Sequence, residues 1–296
     1  MEDIEKAHAE SIAALAAQPG RVFVVGGVDS GKTTFASRVA KAGLEAGHVV
    51  AIVDADLGQS TIGPPTTVGL KIGTQPADLK TDKPDAMSFV GSISPRGHML
   101  TLVAGTAKLV MRAIELGARL IVVDTSGLID GVAGQVLKLS KAELCRPHHV
   151  VALARGMELE PIVGVLERFL SVDVVSLPVH PAIKVRTVEE RTAHRESRLA
   201  AFLGPEVYRW RVKPTVFMPS LPPIFDLREL DGLLVGVDDG HGDCLGLGIL
   251  EYREDALRLL TPVSEGVRAL RLGSVRMSPD GKIIERVDLR LVLGTD

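Results

Sequence analysis

A chain of 296 residues has room for one large domain and a smaller one, and its formal charge of −3 excludes a general cationic surface for gripping nucleic acid. Hydrophobic residues make up 46% and aromatics only 3%, so aliphatic side chains must fill the core, and any phosphate binding must come from a local basic patch. Two distant cysteines, Cys145 and Cys244, fit neither a disulfide framework nor a metal-ligand spacing and read as buried thiols.

Met1 to Gly20 is Ala-rich behind an acidic start, without the basic start and apolar core of a signal peptide, and reads as a helix packed on the following domain. No apolar run reaches the roughly 18 residues of a membrane span, so no membrane association and a cytoplasmic location are expected. Arg21–Val25 predicts a strand. Gly31–Ala46 predicts a helix, with Phe35, Val39, Ala42 and Ala46 at three- and four-residue spacing. Val49–Asp54 and Ser88–Val90 are strands, and Thr101–Leu116 is a helix. Then strands at Leu120–Asp124, His149–Leu153 and Val172–Leu177 alternate with helices at Val132–Leu144 and Glu158–Leu170. This alternation predicts an α/β fold, a doubly wound parallel sheet with helices on both faces. From Lys213 onward, Pro214, Pro219, Pro222 and Pro223 break helical patterns. Five short β-like segments follow: Gly232–Val237, Cys244–Tyr252, Leu257–Thr261, Ala269–Met277 and Ile283–Leu293. They predict a small all-β C-terminal domain.

The sharpest motif is Gly26-Gly27-Val28-Asp29-Ser30-Gly31-Lys32-Thr33, placed after a strand and at the opening of a helix that continues through Thr34. Its glycines let the backbone wrap a phosphate chain, and the free amides and dipole of the helix start favour negative charge. Lys32 reaches the β- and γ-phosphates and the Thr33 hydroxyl ligates Mg²⁺, so ATP and magnesium are the expected cofactors. The chain lacks an Asn-Lys-x-Asp motif, and Gly27 occupies the position of the extra lysine of partitioning-type ATPases; both branches are disfavoured.

The second strand runs into Asp54-Ala55-Asp56-Leu57-Gly58-Gln59. Two carboxylates two apart on a strand point the same way, toward a site beside the P-loop. One could hold magnesium and the other could accept the proton of an attacking hydroxyl. Asp124, ending the strand Leu120–Asp124, is an alternative magnesium partner or a structural residue. Between Lys184 and Lys213 eight basic residues face four acidic ones, and Arg191, Arg195 and Arg198 share one helix face. That face is either a set of groups closing over a transferring phosphoryl or a solvated, ion-paired surface. His98, in a Ser-rich loop, is either a substrate contact or a turn residue.

The P-loop together with Asp-Ala-Asp-Leu-Gly-Gln resembles the RNA 5′-hydroxyl kinases of the mRNA 3′-end cleavage and ribosomal RNA processing family, nearest to its prokaryotic members. Phe89–His98 resembles the family's Gly-Ser-x-Ser/Thr-Pro-x-Gly segment. Asp124–Ile129 resembles its clasp, and Arg191–Arg195 with Arg198 resembles its arginine lid. The likeness runs from Val22 to about Met277.

It implies transfer of the ATP γ-phosphoryl to the 5′-hydroxyl end of a nucleic acid, RNA favoured and DNA possible. Lys32, Asp56, Arg191 and Arg195 would be catalytic, with Asp56 as the base. Thr33, Asp54 and Asp56 would serve the metal, and Gln59, Ser92, Ser94, Thr125 and Arg198 the substrate. The clasp tryptophan position holds Leu128, which removes a stacking partner for the end base. The N-terminal β domain of eukaryotic members has no counterpart, so no obligate protein partner is expected. The division implied is a helix at 1–20, a P-loop kinase domain with its lid at 21–212, and a β domain at 213–296. An ATP-holding scaffold without turnover and a kinase of nucleosides or other small molecules stand as alternatives.

Overall fold

In a strand buried on both faces every second side chain goes to the same layer, and the first strand shows this directly. β1 (Arg21–Gly26) sends Val22 and Val24 to one face and Phe23 and Val25 to the other, all of them at most 1% exposed. In this computed structural model, which describes residues 2–294, two helices cover the first face. They are α1 (Glu2–Ala17), through Ile12 and Leu15, and α2 (Lys32–Glu45), through Phe35 and Val39.

Three helices cover the opposite face: α3 (Met99–Glu115), α4 (Gly131–Cys145) and α5 (Glu160–Leu170), through residues such as Leu102, Leu109, Leu137 and Ile162. The strands between them are β2 (Val50–Ala55), β3 (Thr67–Gly73), β4 (Ala86–Phe89), β5 (Leu120–Thr125), β6 (His149–Ala154) and β7 (Val174–Pro178). Their order across the sheet is β4-β3-β2-β5-β1-β6-β7. β2, β5, β1, β6 and β7 are parallel. The expected parallel sheet is therefore present, extended at one edge by the β3–β4 hairpin, which runs antiparallel to β2 at β3. β3 is a strand that periodicity missed, because Gly69 and Gly73 dilute its apolar pattern. Gly69 is required there: a Cβ would lie 2.1 Å from the Ile62 carbonyl oxygen.

The arginine helix is α6 (Val188–Leu203), opened by a capping box between Thr187 and Glu190. Next come β8 (Tyr208–Arg211), β9 (Phe217–Met218), β10 (Leu233–Asp238), β11 (Cys244–Arg253), β12 (Ala256–Thr261), β13 (Ala269–Met277), β14 (Ile283–Arg286) and α7 (Leu289–Leu293). The second sheet has the order β14-β13-β10-β11-β12-β8. A division at residue 213 would separate β8 from the sheet it joins, since Arg211 pairs with Arg258 of β12. Leu289–Leu293, expected as strand, is helical, because Asp288 caps its start through the Arg290 amide.

The two sheets share a core. Met87, Phe89 and Ile93 pack with Leu199 and Leu203 of α6 and with Leu234, Leu247 and Val275 of the second sheet. The C-terminal end of the arginine helix is thus wedged between the sheets. Both cysteines are buried, and burial pushes the Cys145 thiol up to about 11 and the Cys244 thiol up to about 12. Among the described residues no helix is long and apolar enough to cross a membrane.

Candidate active site

Loops from four parallel strands converge at the carboxyl edge of the sheet, where open α/β sheets bind ligands. The first is the phosphate loop. Gly31, with φ of 85°, and Asp29, with φ of 51°, turn it through the left-handed region. Gly26 is fixed by proximity: a Cβ there would sit 2.5 Å from Ser30 Oγ and 2.8 Å from the Leu153 carbonyl. Lys32 Nζ donates to the Gly27 carbonyl at 2.6 Å, so the ammonium lies inside the loop. A cavity of about 650 Å³ opens above it, lined by Val28 to Thr34, by Asp56 and Gln59, and by the segment 182–186.

The two carboxylates expected to act together do not. β2 ends at Ala55, so strand alternation stops before Asp56. Asp54 is 1% exposed and structural. Its Oδ2 accepts from the Thr61 amide at 2.6 Å, the Thr61 hydroxyl at 3.0 Å and the Ile62 amide at 3.1 Å, and its Oδ1 accepts from the Asp56 amide at 3.0 Å. It shapes the loop and does not line the phosphate cavity. Asp56 does line it, with Oδ1 held by the Gly58 and Gln59 amides at 3.0 and 3.1 Å.

The place expected for Asp54 beside the phosphate loop is taken by its strand neighbour Asp124, in register with it across β2 and β5. Thr33 Oγ1 donates to Asp124 Oδ2 at 2.5 Å, and the buried Asp124 Oδ1 has no hydrogen-bond partner among the described residues. Burial, and then the charge of Asp54, push the Asp124 carboxyl up to about 7, while Lys32 opposes the shift; burial also pushes Asp54 up. A hydroxyl beside a carboxylate with an unsatisfied oxygen suits a divalent cation that takes its other ligands from phosphate and water.

The arginines of α6 divide. Arg191 Nη1 pairs with Asp29 Oδ2 at 3.2 Å and donates to the Arg186 carbonyl at 2.6 Å. Arg195 is half-buried; its Nη2 donates to Thr192 Oγ1 at 3.1 Å and its Nε has no partner among the described residues. Gly58 lies where three groups meet. A Cβ there would be 3.1 Å from the Ile93 carbonyl, 3.5 Å from the Arg195 guanidinium and 3.8 Å from Asp56 Oδ1. Arg198 points elsewhere. It pairs with Asp82 and donates to the Thr61 and Gly63 carbonyls at 3.2 and 2.7 Å, bracing the loop that follows β2.

Of the expected substrate residues, Gln59 bridges to the arginine segment: its Nε2 donates to the Arg191 carbonyl at 3.2 Å and its Oε1 accepts from Arg186 Nη1 at 3.0 Å. Ser92 and Ser94 border a second cavity with His98. Thr125 is fully buried, donating to the Val24 carbonyl at 2.9 Å and accepting from Lys138 Nζ at 2.9 Å, so it holds the clasp instead of facing a ligand.

Three residues escaped sequence reasoning. Arg155 donates to the Val28 carbonyl at 3.3 Å and also to the Asp29 carbonyl, gripping the crown of the phosphate loop; its place one residue past β6 was the available signal. Arg186 donates its amide to Asp29 Oδ2 at 3.0 Å. Lys138 is 1% exposed and donates to the Ser126 carbonyl as well as to Thr125; it lies on the apolar stripe of α4 with Leu137 and Ala142, where a lysine is out of place.

This arrangement corresponds to a known pattern. Residues 26–204 match the family described as mRNA cleavage and polyadenylation factor CLP1 P-loop. The chain belongs to the CLP1 P-loop family. It is 30% identical to the polyribonucleotide 5′-hydroxyl-kinase of Thermococcus kodakarensis, over 90% of each chain. It is also 30% identical to the protein of the same name from Methanocaldococcus jannaschii, covering 92% of this chain and 91% of that one. A solved Clp1p–Pcf11p complex matches in fold with a TM-score of 0.69 at 15% identity, over 93% of this chain and 79% of that one. The CLP1 P-loop match runs from the end of β1 through α6, the segment that carries the phosphate loop, Asp56 and the arginine helix.

Proposed function

We propose that the chain transfers the γ-phosphoryl of ATP to the 5′-hydroxyl end of RNA. The observation that carries this reading is the meeting at Gly58 of the Ser92–Ser94 loop, Arg195 and Asp56, the last of which lines the phosphate cavity. An acceptor base, a cation for the transferring group and a hydroxyl-rich loop stand together there. The names of the relatives supply the acceptor.

In this mechanism the amides of the phosphate loop and Lys32 hold the β- and γ-phosphates. Thr33 and Asp124 would hold magnesium, which supplies charge neutralisation at those phosphates. Asp56, fixed by the Gly58 and Gln59 amides, takes the proton of the 5′-hydroxyl as its oxygen bonds to the γ-phosphorus. The bond between that phosphorus and the β–γ bridging oxygen breaks, and ADP leaves with the electron pair. Arg195 and Arg191 stabilise the equatorial oxygens of the group in transit. Arg191 does so after exchanging its Asp29 partner for phosphate. Arg198 acts on this site only through the loop it braces.

The test is transfer of labelled γ-phosphate to matched 5′-hydroxyl RNA and DNA oligonucleotides. Wild-type protein labels RNA. Asp56→Asn lowers the rate by ~10² to 10⁴, and Lys32→Ala by about 10² to 10³. Label on DNA as well widens the acceptor class. No label on either, with ATP still bound, overturns the reading in favour of a scaffold; label confined to free nucleosides overturns it in favour of a small-molecule kinase.

A further inference from the structure

A second cavity, of about 660 Å³, lies where the two sheets meet. Ser94, Arg96 and His98 of the loop after β4 form one wall, and Ser274, Arg286 and Arg290 form the other. The walls are tied together. The Ser274 amide donates to the Gly91 carbonyl at 2.6 Å, and His98 Nε2 shares a hydrogen bond of 2.8 Å with Ser274 Oγ. Gly91 and Gly273 permit this approach: a Cβ on Gly91 would lie 2.7 Å from Gly273 Cα. The second sheet therefore sets the position of the Ser92–Ser94 loop.

The lining is cationic. The one carboxylate among the lining residues, Asp288, is paired with Arg290 at 3.2 Å. The exposed guanidinium groups of Arg96 and Arg286 form no hydrogen bond or ion pair among the described residues. Arg286 also stands near the lid. After burial, its positive charge is the main influence pushing the Arg195 guanidinium below the ordinary arginine range. Glu196, next to Arg195 in sequence, partly offsets this and also accepts from the Ile283 amide at 3.0 Å. Arg96 and Arg286 themselves have no carboxylate partner among the described residues, the arrangement that an anion relieves. The groove's loop reaches the catalytic side through Ile93, between Ser92 and Ser94, whose carbonyl would lie 3.1 Å from a Cβ on Gly58, the neighbour of Gln59 in the catalytic cavity.

We propose that this groove binds the backbone phosphates of the acceptor strand beyond its 5′-terminal nucleotide, with Arg96 and Arg286 as the contacts. The C-terminal sheet then forms one wall of the substrate platform as well as packing against the lid helix. The inference rests on the polynucleotide kinase reading. It calls for contacts blind to base identity, because guanidinium–phosphate contacts position a strand without reading it.

The experiment compares wild-type protein with the Arg96→Ala/Arg286→Ala double variant on a nucleoside 3′-monophosphate and on a 5′-hydroxyl decanucleotide. Binding of the fluorescently labelled decamer is followed by anisotropy across a salt series. The ratio of kcat/KM for the decamer to that for the mononucleotide should fall roughly tenfold. The slope of log affinity against log salt should shallow by about 0.7 for each phosphate that no longer meets a guanidinium. An unchanged ratio and salt slope overturn the groove, as does an equal loss on both acceptors, which would mark an effect through Arg195 alone. Decamer binding by the wild type without transfer overturns the kinase reading and leaves the groove to be decided by the salt slopes. Absence of decamer binding overturns the groove.

Discussion

Asp29 and Arg191 join the phosphate loop to the arginine helix through an ion pair of 3.2 Å, and the same carboxylate oxygen accepts the Arg186 amide. The side chains are only 26% and 11% exposed, for Arg191 and Asp29, so solvent screening is incomplete. Asp29→Asn should loosen this latch by about 1 kcal/mol, roughly a fivefold shift in local opening. Hydrogen exchange across residues 180–191, without nucleotide, should speed by about that factor. Unchanged exchange would show that the capping box and the packing of α6 hold the segment alone.

Gly58→Ala tests the meeting of base, lid and acceptor loop. The added methyl would stand 3.1 Å from the Ile93 carbonyl, so that loop or Asp56 must shift by a few tenths of an ångström. Misplacement on this scale should lower kcat by about tenfold, with the KM for ATP nearly unchanged because Lys32 and Thr33 are untouched. Steady-state kinetics decide it; a wild-type kcat would mean that the three groups need not be held so closely.

Arg198 is expected to support the fold rather than the chemistry. Its loss removes a guanidinium donor from the Thr61 and Gly63 carbonyls and the charge partner of Asp82. Arg198→Ala should cost about 2 kcal/mol, lowering Tm by roughly 4 to 8 °C for a chain of this size. Arg195→Ala should spare Tm and lose turnover. The reverse pattern, activity lost at Arg198 with Tm intact, would make Arg198 a substrate contact.

Lys141 supplies a pH-dependent test of stability. It is fully buried, its Nζ has no hydrogen-bond partner among the described residues, and burial pushes its ammonium down to about 8. An unfolded chain would hold that proton up to about 10.4. Between these values the unfolded state binds more protons, so folding stability rises with pH as the buried ammonium loses its proton. Below pH ~8 both states carry the charge and that cost is fully present as the penalty of a buried ammonium; above it the folded protein sheds the proton and the penalty is relieved toward pH 10. Lys141→Met should therefore stabilise the protein by about 3 kcal/mol near pH 7, an advantage that shrinks toward pH 10. Urea titrations at both pH values measure it. A constant difference would show that the folded protein holds the Lys141 proton as firmly as the unfolded chain does.

The sequence by itself determined the parallel core and the phosphate loop, because both rest on local patterns. Strands buried on two faces must be continuously apolar, and a loop that wraps phosphate must place Gly31, Lys32 and Thr33 at fixed offsets. The same locality explains what it missed. β3 was hidden because Gly69 serves a contact with Ile62 and Gly73 one with Asp78 and Leu79, and neither leaves a periodic signal. Two-residue spacing points Asp54 and Asp56 the same way, and only the turn after Ala55 sends one into the fold and the other into the cavity. Asp124 reached Thr33 because β5 lies beside β2 and β1, an adjacency set by the order of strands in the sheet. The arginines were legible as one helix face, yet their partners Asp29, Asp82 and the Arg286 charge come from 162 residues upstream, 116 residues upstream and the other sheet. Which arginine faces phosphate and which braces a loop is decided by those distant groups, and so by the tertiary structure alone.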